Sequence, residues 1–121
     1  NIDSGLPQAI QQAAIEALNG SQQCVADNVA VYQSRRDRVL DALDKIGIKA
    51  AKPRASLYIW ARVPQGYTSV AFADKLLDDL AVVVTPGIGY GKNGDGYIRI
   101  SLTTPDKRLD EALARIAAWR W

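Results

Sequence analysis

Apolar residues recur along this chain at two spacings, and the switch between them lays out the elements. Ile10, Ala13, Ala14, Ala17 and Leu18 fall at helical spacing, with Pro7 in a first-turn position and Gly20 as a stop. This predicts a small-residue-rich, closely packed helix over residues 7–19. A longer helix follows, capped by Ser21 and ended by Gly47, with Val25, Val29, Tyr32, Val39, Leu40, Leu43 and Ile46 as its inward stripe. Arg35, Asp37, Arg38, Asp41 and Lys45 take the other face and read as a solvated charge run. Beyond Gly47 the period shortens to two. A short strand is predicted over 48–51, a turn over 53–56 and a stronger strand over 57–63. In that strand Leu57, Ile59, Ala61 and Val63 point one way and Tyr58, Trp60 and Arg62 the other.

Pro64 and Gly66 end that strand, and Thr68 or Ser69 caps a third helix whose stripe is Phe72, Ala73, Leu76, Leu77 and Leu80. The run 81–85 is short, β-branched and apolar, the pattern of a fully buried strand. Residues 86–96 hold five of the nine glycines and read as a flexible loop. Strict alternation resumes over 97–103, with Ile98, Ile100 and Leu102 inward and Tyr97, Arg99 and Ser101 outward. Thr104 as cap, Pro105 in the first turn and Asp106 at the positive end of the dipole open a last helix, striped by Leu109, Ala112, Leu113, Ile116 and Ala117. The order is two helices, then β-β-α-β-β-α. That is a two-layer α/β (α+β) domain around one core, as expected for 121 residues of which 48% are apolar.

Composition narrows the chemistry. Fifteen basic and thirteen acidic residues are interspersed, net +2, so no concentrated field marks the chain for nucleic acid or anionic lipid. No apolar run approaches the roughly 20 residues that cross a bilayer, and residues 1–7 lack the features of a secretory signal, so a cytoplasmic setting is expected. Histidine is absent, which removes Ser-His-Asp, Cys-His and HExxH chemistry. The single cysteine, Cys24, excludes an internal disulfide framework and CxxC metal or redox sites. Methionine is absent too, and the chain reads as a portion of a longer polypeptide.

Two features remain as candidate chemistry. Gly89-Tyr90-Gly91-Lys92-Asn93-Gly94 fits GxGxxG formally, but a dinucleotide fingerprint needs its last glycine to open a helix, and here strand periodicity follows. The glycines fit either a loop with positive φ angles or close approach of backbone to a ligand. Arg99 lies mid-strand in a β-branched run, so its guanidinium projects from a stiff backbone. Such a fork can meet a carboxylate with two parallel charge-assisted hydrogen bonds; the plainer reading is a solvated arginine or a modest ion pair.

Several stretches occur in a telling order: Asn1-Ile2-Asp3-Ser4-Gly5-Leu6-Pro7 with Gln11 and the alanine-rich helix, then Tyr32 with the arginines at 35, 36 and 38. Leu57-Tyr58-Ile59-Trp60, Val84-Thr85-Pro86-Gly87 with the Gly-Tyr-Gly loop, and Tyr97-Ile98-Arg99-Ile100-Ser101-Leu102 follow. Together they resemble the C-terminal third of the class I/II aminotransferases, most closely the LL-diaminopimelate aminotransferase-like branch. The resemblance implies residues 1–30 as connecting helices from a large domain and 31–121 as the small C-terminal domain of the aspartate aminotransferase-like fold. It implies a homodimer acting on an amino acid and a 2-oxoacid with pyridoxal 5′-phosphate. Arg99 would bind the substrate α-carboxylate, while Asn1, Asp3 and Ser4 match a segment near the neighbouring subunit's site. The Schiff-base lysine of the family sits in a Ser-Lys loop, and none of Lys45, Lys49, Lys52, Lys75, Lys92 and Lys107 has that context. No catalytic, cofactor-binding or metal-binding residue is therefore expected in this chain, which by itself would be catalytically silent.

Two readings from other classes compete. A stand-alone regulatory module could use the glycine loop and Arg99 as a small-acid sensor without catalysis. An interaction domain could use Trp60, Trp119 and Trp121 as exposed aromatics, although tryptophans near a terminus also cover core edges.

Overall fold

Among residues 5–120, which this computed structural model describes, four α-helices and three strands form. In chain order they are α1 (Gln8–Asn19), α2 (Gln23–Lys45), β1 (Tyr58–Arg62), α3 (Ser69–Leu80), β2 (Thr85–Pro86), β3 (Tyr97–Ser101) and α4 (Asp106–Ala118). The backbone divides into two units, one ending at Ala30 and the other beginning at Val31. The first holds α1 and the opening turns of α2. Contrary to the expectation of close packing, α1 buries none of its residues, and Ile10, Ile15 and Leu18 are exposed. Val25 and Val29, expected in the inward stripe of α2, are exposed as well. Ser21 does cap the start of α2, its hydroxyl accepting from the Gln23 N–H at 3.3 Å.

In the second unit the helical stripe meets the sheet. Val39, Ala42 and Leu43 of α2 are buried, and the helix ends as the sequence signals. Gly47 takes φ +77°, its N–H donates to the Asp44 carbonyl and the Ile48 N–H reaches back to Leu43. This paired closure satisfies the last carbonyls and brings Ile48 and Leu43 into the core together. At α3 it is Thr68 that caps, accepting from the Ala71 N–H at 3.2 Å, while Ser69 is fully buried. The C-cap of α3 is Ala81 at φ 53°, a left-handed position without a glycine. Ala81→Gly is expected to raise stability by about 0.5–1 kcal/mol, since it removes the Cβ penalty at the cost of some unfolded-state entropy. A denaturant titration of the chain checks this.

β3 is the centre of an antiparallel sheet in the order β1-β3-β2. Trp60 and Thr85 lie opposite Arg99 on the two sides. Alternation holds: Ile59, Ala61 and Ile98 are fully buried and pack with Val39, Phe72, Leu76 and Leu109 from the helices, while Trp60, Arg62 and Tyr97 face outward. Two predicted strands shrink. Over 48–51 a single bridge, Ala50 to Ala61, and the Arg62 N–H to Lys49 carbonyl bond remain, because the Pro53 turn carries the chain off the edge. The expected buried strand at 81–85 pairs only from Thr85, since the left-handed turn at Ala81 occupies its start. Val83 is 81% exposed there, and among the described residues no strand lies beyond β2 to cover it.

The charge run of α2 also departs from expectation. Asp41 and Lys45 pair on the surface, but Arg35 and Arg38 turn onto the N-terminus of α4. Arg35 holds Asp106 with two bonds of 3.1 and 2.9 Å and also donates to the Leu102 carbonyl; Arg38 joins Asp106 and Asp110. The predicted Thr104 cap does not form: Pro105 stands at the N-cap without a side-chain bond, and Asp106, the first residue of α4, spends its carboxylate on the two arginines. Hydrogen bonds from Arg35 and then Arg38 pull the Asp106 carboxyl down to about 2 from 3.8. A carboxyl depressed in the folded state binds fewer protons than in the unfolded chain, so its contribution is complete above about pH 4 and is lost as pH falls toward 2. In acid titrations, Asp106→Asn is expected to flatten the fall of stability between about pH 4 and 2. The part due to Asp37, which Arg36 and Lys52 hold at about 2, remains.

Candidate functional site

The outward face of the sheet gathers aromatics around Arg99. β3 is laddered on both sides, so the Arg99 backbone cannot swing, and the guanidinium lies against two rings. Its carbon is 4.0 Å from the Tyr58 ring centroid and 4.6 Å from that of Tyr90. Trp60 meets Tyr90 edge-on at 5.5 Å and Tyr97 at 6.3 Å. Arg99 is half-buried, and its Nε is sealed from solvent without a hydrogen-bond partner. No carboxylate among the described residues pairs with it, in contrast to Arg35 and Arg38. A guanidinium packed against two rings, with its Nε sealed, leaves its Nη end as the place where an anion can bind.

Tyr90 reaches this position because the 86–96 segment is folded back on itself. It forms two short 3-10 turns, Gly87–Tyr90 and Lys92–Gly94, whose backbones touch: a Cβ at Gly87 or Gly94 would lie 2.1 Å from the other's carbonyl oxygen. Gly91 between them takes φ +109°. The glycines expected to allow close backbone approach therefore do so to each other. The segment is also tied to the start of α3. The Ile88 N–H donates to Ser69 Oγ at 3.3 Å, and Asp95 accepts from the Ser69 and Gly96 N–H groups at 3.0 Å each. These bonds, the Ser69 amide first, hold the Asp95 carboxyl below its ordinary range.

Of the residues singled out from sequence, Arg99 stands on the open sheet face as expected. Its expected face-mates share that face: Tyr97 meets Trp60 edge-on, and Ser101 bonds Thr103 through their hydroxyls at 2.9 Å. Asn1, Asp3 and Ser4 lie outside the described residues, as does Trp121. Trp119, weighed as an exposed interaction residue, is buried against Phe72 and donates its Nε1–H to Asp79 at 3.0 Å. Sequence reasoning missed Tyr58 and Tyr90 as partners of Arg99. For Tyr58 the two-residue period gave the face, but only the strand register places it beside Arg99.

The described lysines do not suit a Schiff base. Lys45, Lys52 and Lys75 each pair with an aspartate, and that pairing raises the pKa of Lys75; Lys49, Lys92 and Lys107 are exposed. None is buried in an apolar pocket, the setting that a Schiff-base lysine needs. The residues present therefore do not fit pyridoxal phosphate without groups from elsewhere. Among the described residues no cluster of three or more His, Cys, Asp or Glu could hold a metal ion, and no helix is long and apolar enough to cross a membrane.

Comparison with known proteins agrees with the resemblance seen in the sequence. The profile of the aminotransferase class I and II family matches residues 3–116. The chain is 59% identical over 120 residues to the LL-diaminopimelate aminotransferase of Dehalococcoides mccartyi strain 195, spanning 99% of this chain and 31% of that protein. It is 53% identical over 118 residues to the enzyme of the same name from Oleidesulfovibrio alaskensis, spanning 98% and 30%. Among solved structures, an aromatic aminotransferase from Pyrococcus horikoshii superposes with a TM-score of 0.82 at 36% identity, over 89% of this chain and 30% of that one. A probable N-succinyldiaminopimelate aminotransferase from Thermus thermophilus gives 0.82 at 32%, over 96% and 31%. The chain spans about 31% of the length of the first of these relatives. With the family profile running over nearly its whole length and the same fold in solved members, this chain belongs to the class I and II aminotransferases.

Proposed function

We propose that this chain is the C-terminal portion of a homodimeric, cytoplasmic aminotransferase that moves an amino group between an amino acid and a 2-oxoacid, and that Arg99 binds the substrate's α-carboxylate. In this reading residues 1–30 are connecting helices and 31–121 the small domain, and pyridoxal phosphate with its lysine is held by the remainder of the polypeptide. The observation that carries it is the state of Arg99: half-buried, fixed on a central strand, packed against the rings of Tyr58 and Tyr90 and without a carboxylate partner among the described residues. A fixed fork receives a carboxylate through two parallel bonds and thereby orients the amino acid, and orientation is where much of an enzyme's proximity gain lies. Asn1 and Ser4 belong to the proposed site through the resemblance alone.

The names of the relatives point to LL-diaminopimelate as the amino donor. Incubating the complete protein with LL-diaminopimelate and a 2-oxoacid is expected to yield the amino acid of that oxoacid; no transfer with this or any other amino donor would refute the reading. The 121-residue chain alone is expected to bind no amino acid tightly in calorimetry, because it supplies one end of the site. Tight binding by the chain alone would favour the small-acid sensor instead.

A further inference from the structure

We infer that Tyr90 is a positioning residue for carboxylate binding: with Tyr58 it packs its ring against the Arg99 guanidinium so that the Nη end meets the substrate. The inference rests on the reading of Arg99 as the carboxylate-binding group and extends it to the residues that aim it. A guanidinium offers an acid two edges and also stacks through its faces. Here the rings of Tyr58 and Tyr90 both lie against the guanidinium, with its carbon 4.0 and 4.6 Å from their centroids, and Nε, the donor of the side-on edge, is sealed from solvent and has no partner. What remains is the end-on pair of Nη donors, which fixes the plane in which a carboxylate must lie.

Tyr58 belongs to the sheet and is as fixed as Arg99 itself. Tyr90 comes from the glycine segment, yet it is not a free tip. The turn that carries it is closed by backbone contact between Gly87 and Gly94 and fastened to α3 through Ser69 and Asp95. Tyr90 is 50% exposed, so it adds little to the core, and its ring meets Arg99 and Trp60. A half-exposed tyrosine held this firmly over an arginine has a geometric consequence for the arginine more than a stabilising one for the fold. Because stacking needs the ring and not the hydroxyl, phenylalanine should serve and leucine should not.

The test uses the complete protein with LL-diaminopimelate as donor and heptanedioate, the same seven-carbon dicarboxylate without amines, as competitive inhibitor. In Tyr90→Leu, the donor KM and the heptanedioate Ki are expected to rise together by about five- to thirtyfold, the range of a lost cation–ring contact, while kcat changes less than about twofold and the unfolding temperature holds. Tyr90→Phe is expected to restore both constants to within about twofold of the parent. Should Tyr90→Leu not fold, Tyr58→Leu removes the other ring and is judged by the same two constants. An unchanged Ki in the leucine variant, beside a raised Ki in Arg99→Leu, overturns the positioning role and leaves the clamp standing. A Ki unchanged in Arg99→Leu as well overturns the reading of Arg99 itself. A Tyr90→Phe variant as impaired as the leucine one also overturns the proposal, since the hydroxyl would then be the acting group.

Discussion

Replacing Arg99 by alanine in the complete protein is expected to lower kcat/KM by about 30- to 5000-fold, the equivalent of about 2–5 kcal/mol for one partner removed from a buried charge pair. The loss is large because the substrate carboxylate loses both charge-assisted bonds of the fork: among the described residues Arg35 and Arg38 are committed to Asp106 and Arg36 to Asp37, and Arg62, the other arginine of the sheet, stands opposite Tyr97 at the end of β1. Both the amino acid and the 2-oxoacid carry the carboxylate, so both half-reactions should suffer alike. The absorption of the bound cofactor should not change, because none of the described residues of this chain is assigned to it. Steady-state kinetics with each substrate varied in turn measures the effect. A fall smaller than about tenfold, or about 1.4 kcal/mol, would remove the carboxylate role from Arg99.

Replacing Phe72 by alanine is expected to cost about 3–5 kcal/mol of stability. Phe72 is fully buried where α3 lies on the sheet, with Tyr67 edge-on at 5.5 Å and Trp119 at 5.9 Å. Truncation removes the ring and leaves a void that the surrounding ladder and helices cannot close. A domain of this kind has about 5–15 kcal/mol in all, so the variant stands near the edge of folding. Denaturant titration of the chain followed by tryptophan fluorescence is suited to it, since Trp119 reports on the same packing. A Phe72→Leu variant, which keeps much of the volume, should lose markedly less.

What could be read from the sequence was whatever rests on local periodicity. The alternation at Ile59 and Ala61 and at Ile98 and Leu102 gave the buried side of the sheet, and the Gly47 stop gave the end of α2. The outward placing of Arg99 follows from the same alternation. Readings that needed a tertiary partner did less well. The run at 81–85 has the composition of a buried strand, but whether such a run is covered depends on a neighbour, and at Val83 the second unit supplies none. The exposed Ile10, Ile15, Leu18, Val25 and Val29 are the same case in the first unit. Arg35 and Arg38 look like part of a wet face on a helical wheel, yet Asp106 and Asp110, about seventy residues on, draw them inward; charge pattern within one helix cannot reveal a partner on another.

The site divides in the same way. Arg99 was found from its own strand, and the family resemblance gave it a role. Its aromatic partners were hidden, because Tyr58 meets it across the β1–β3 register and Tyr90 through a loop whose shape follows from two glycines pressed together. Glycine-rich sequence signals freedom, but here it signals contact: the segment expected to be flexible is pinned at Ser69 and Asp95.

The most direct measurement is a crystal structure of the complete protein with a bound carboxylate substrate or its amine-free analogue. The expected result is a carboxylate whose two oxygens lie about 2.7–2.9 Å from the Nη atoms of Arg99, in the guanidinium plane, with Tyr58 and Tyr90 still packed against the guanidinium. A carboxylate seated on another cation, with Arg99 facing solvent or a protein side chain, would contradict the account.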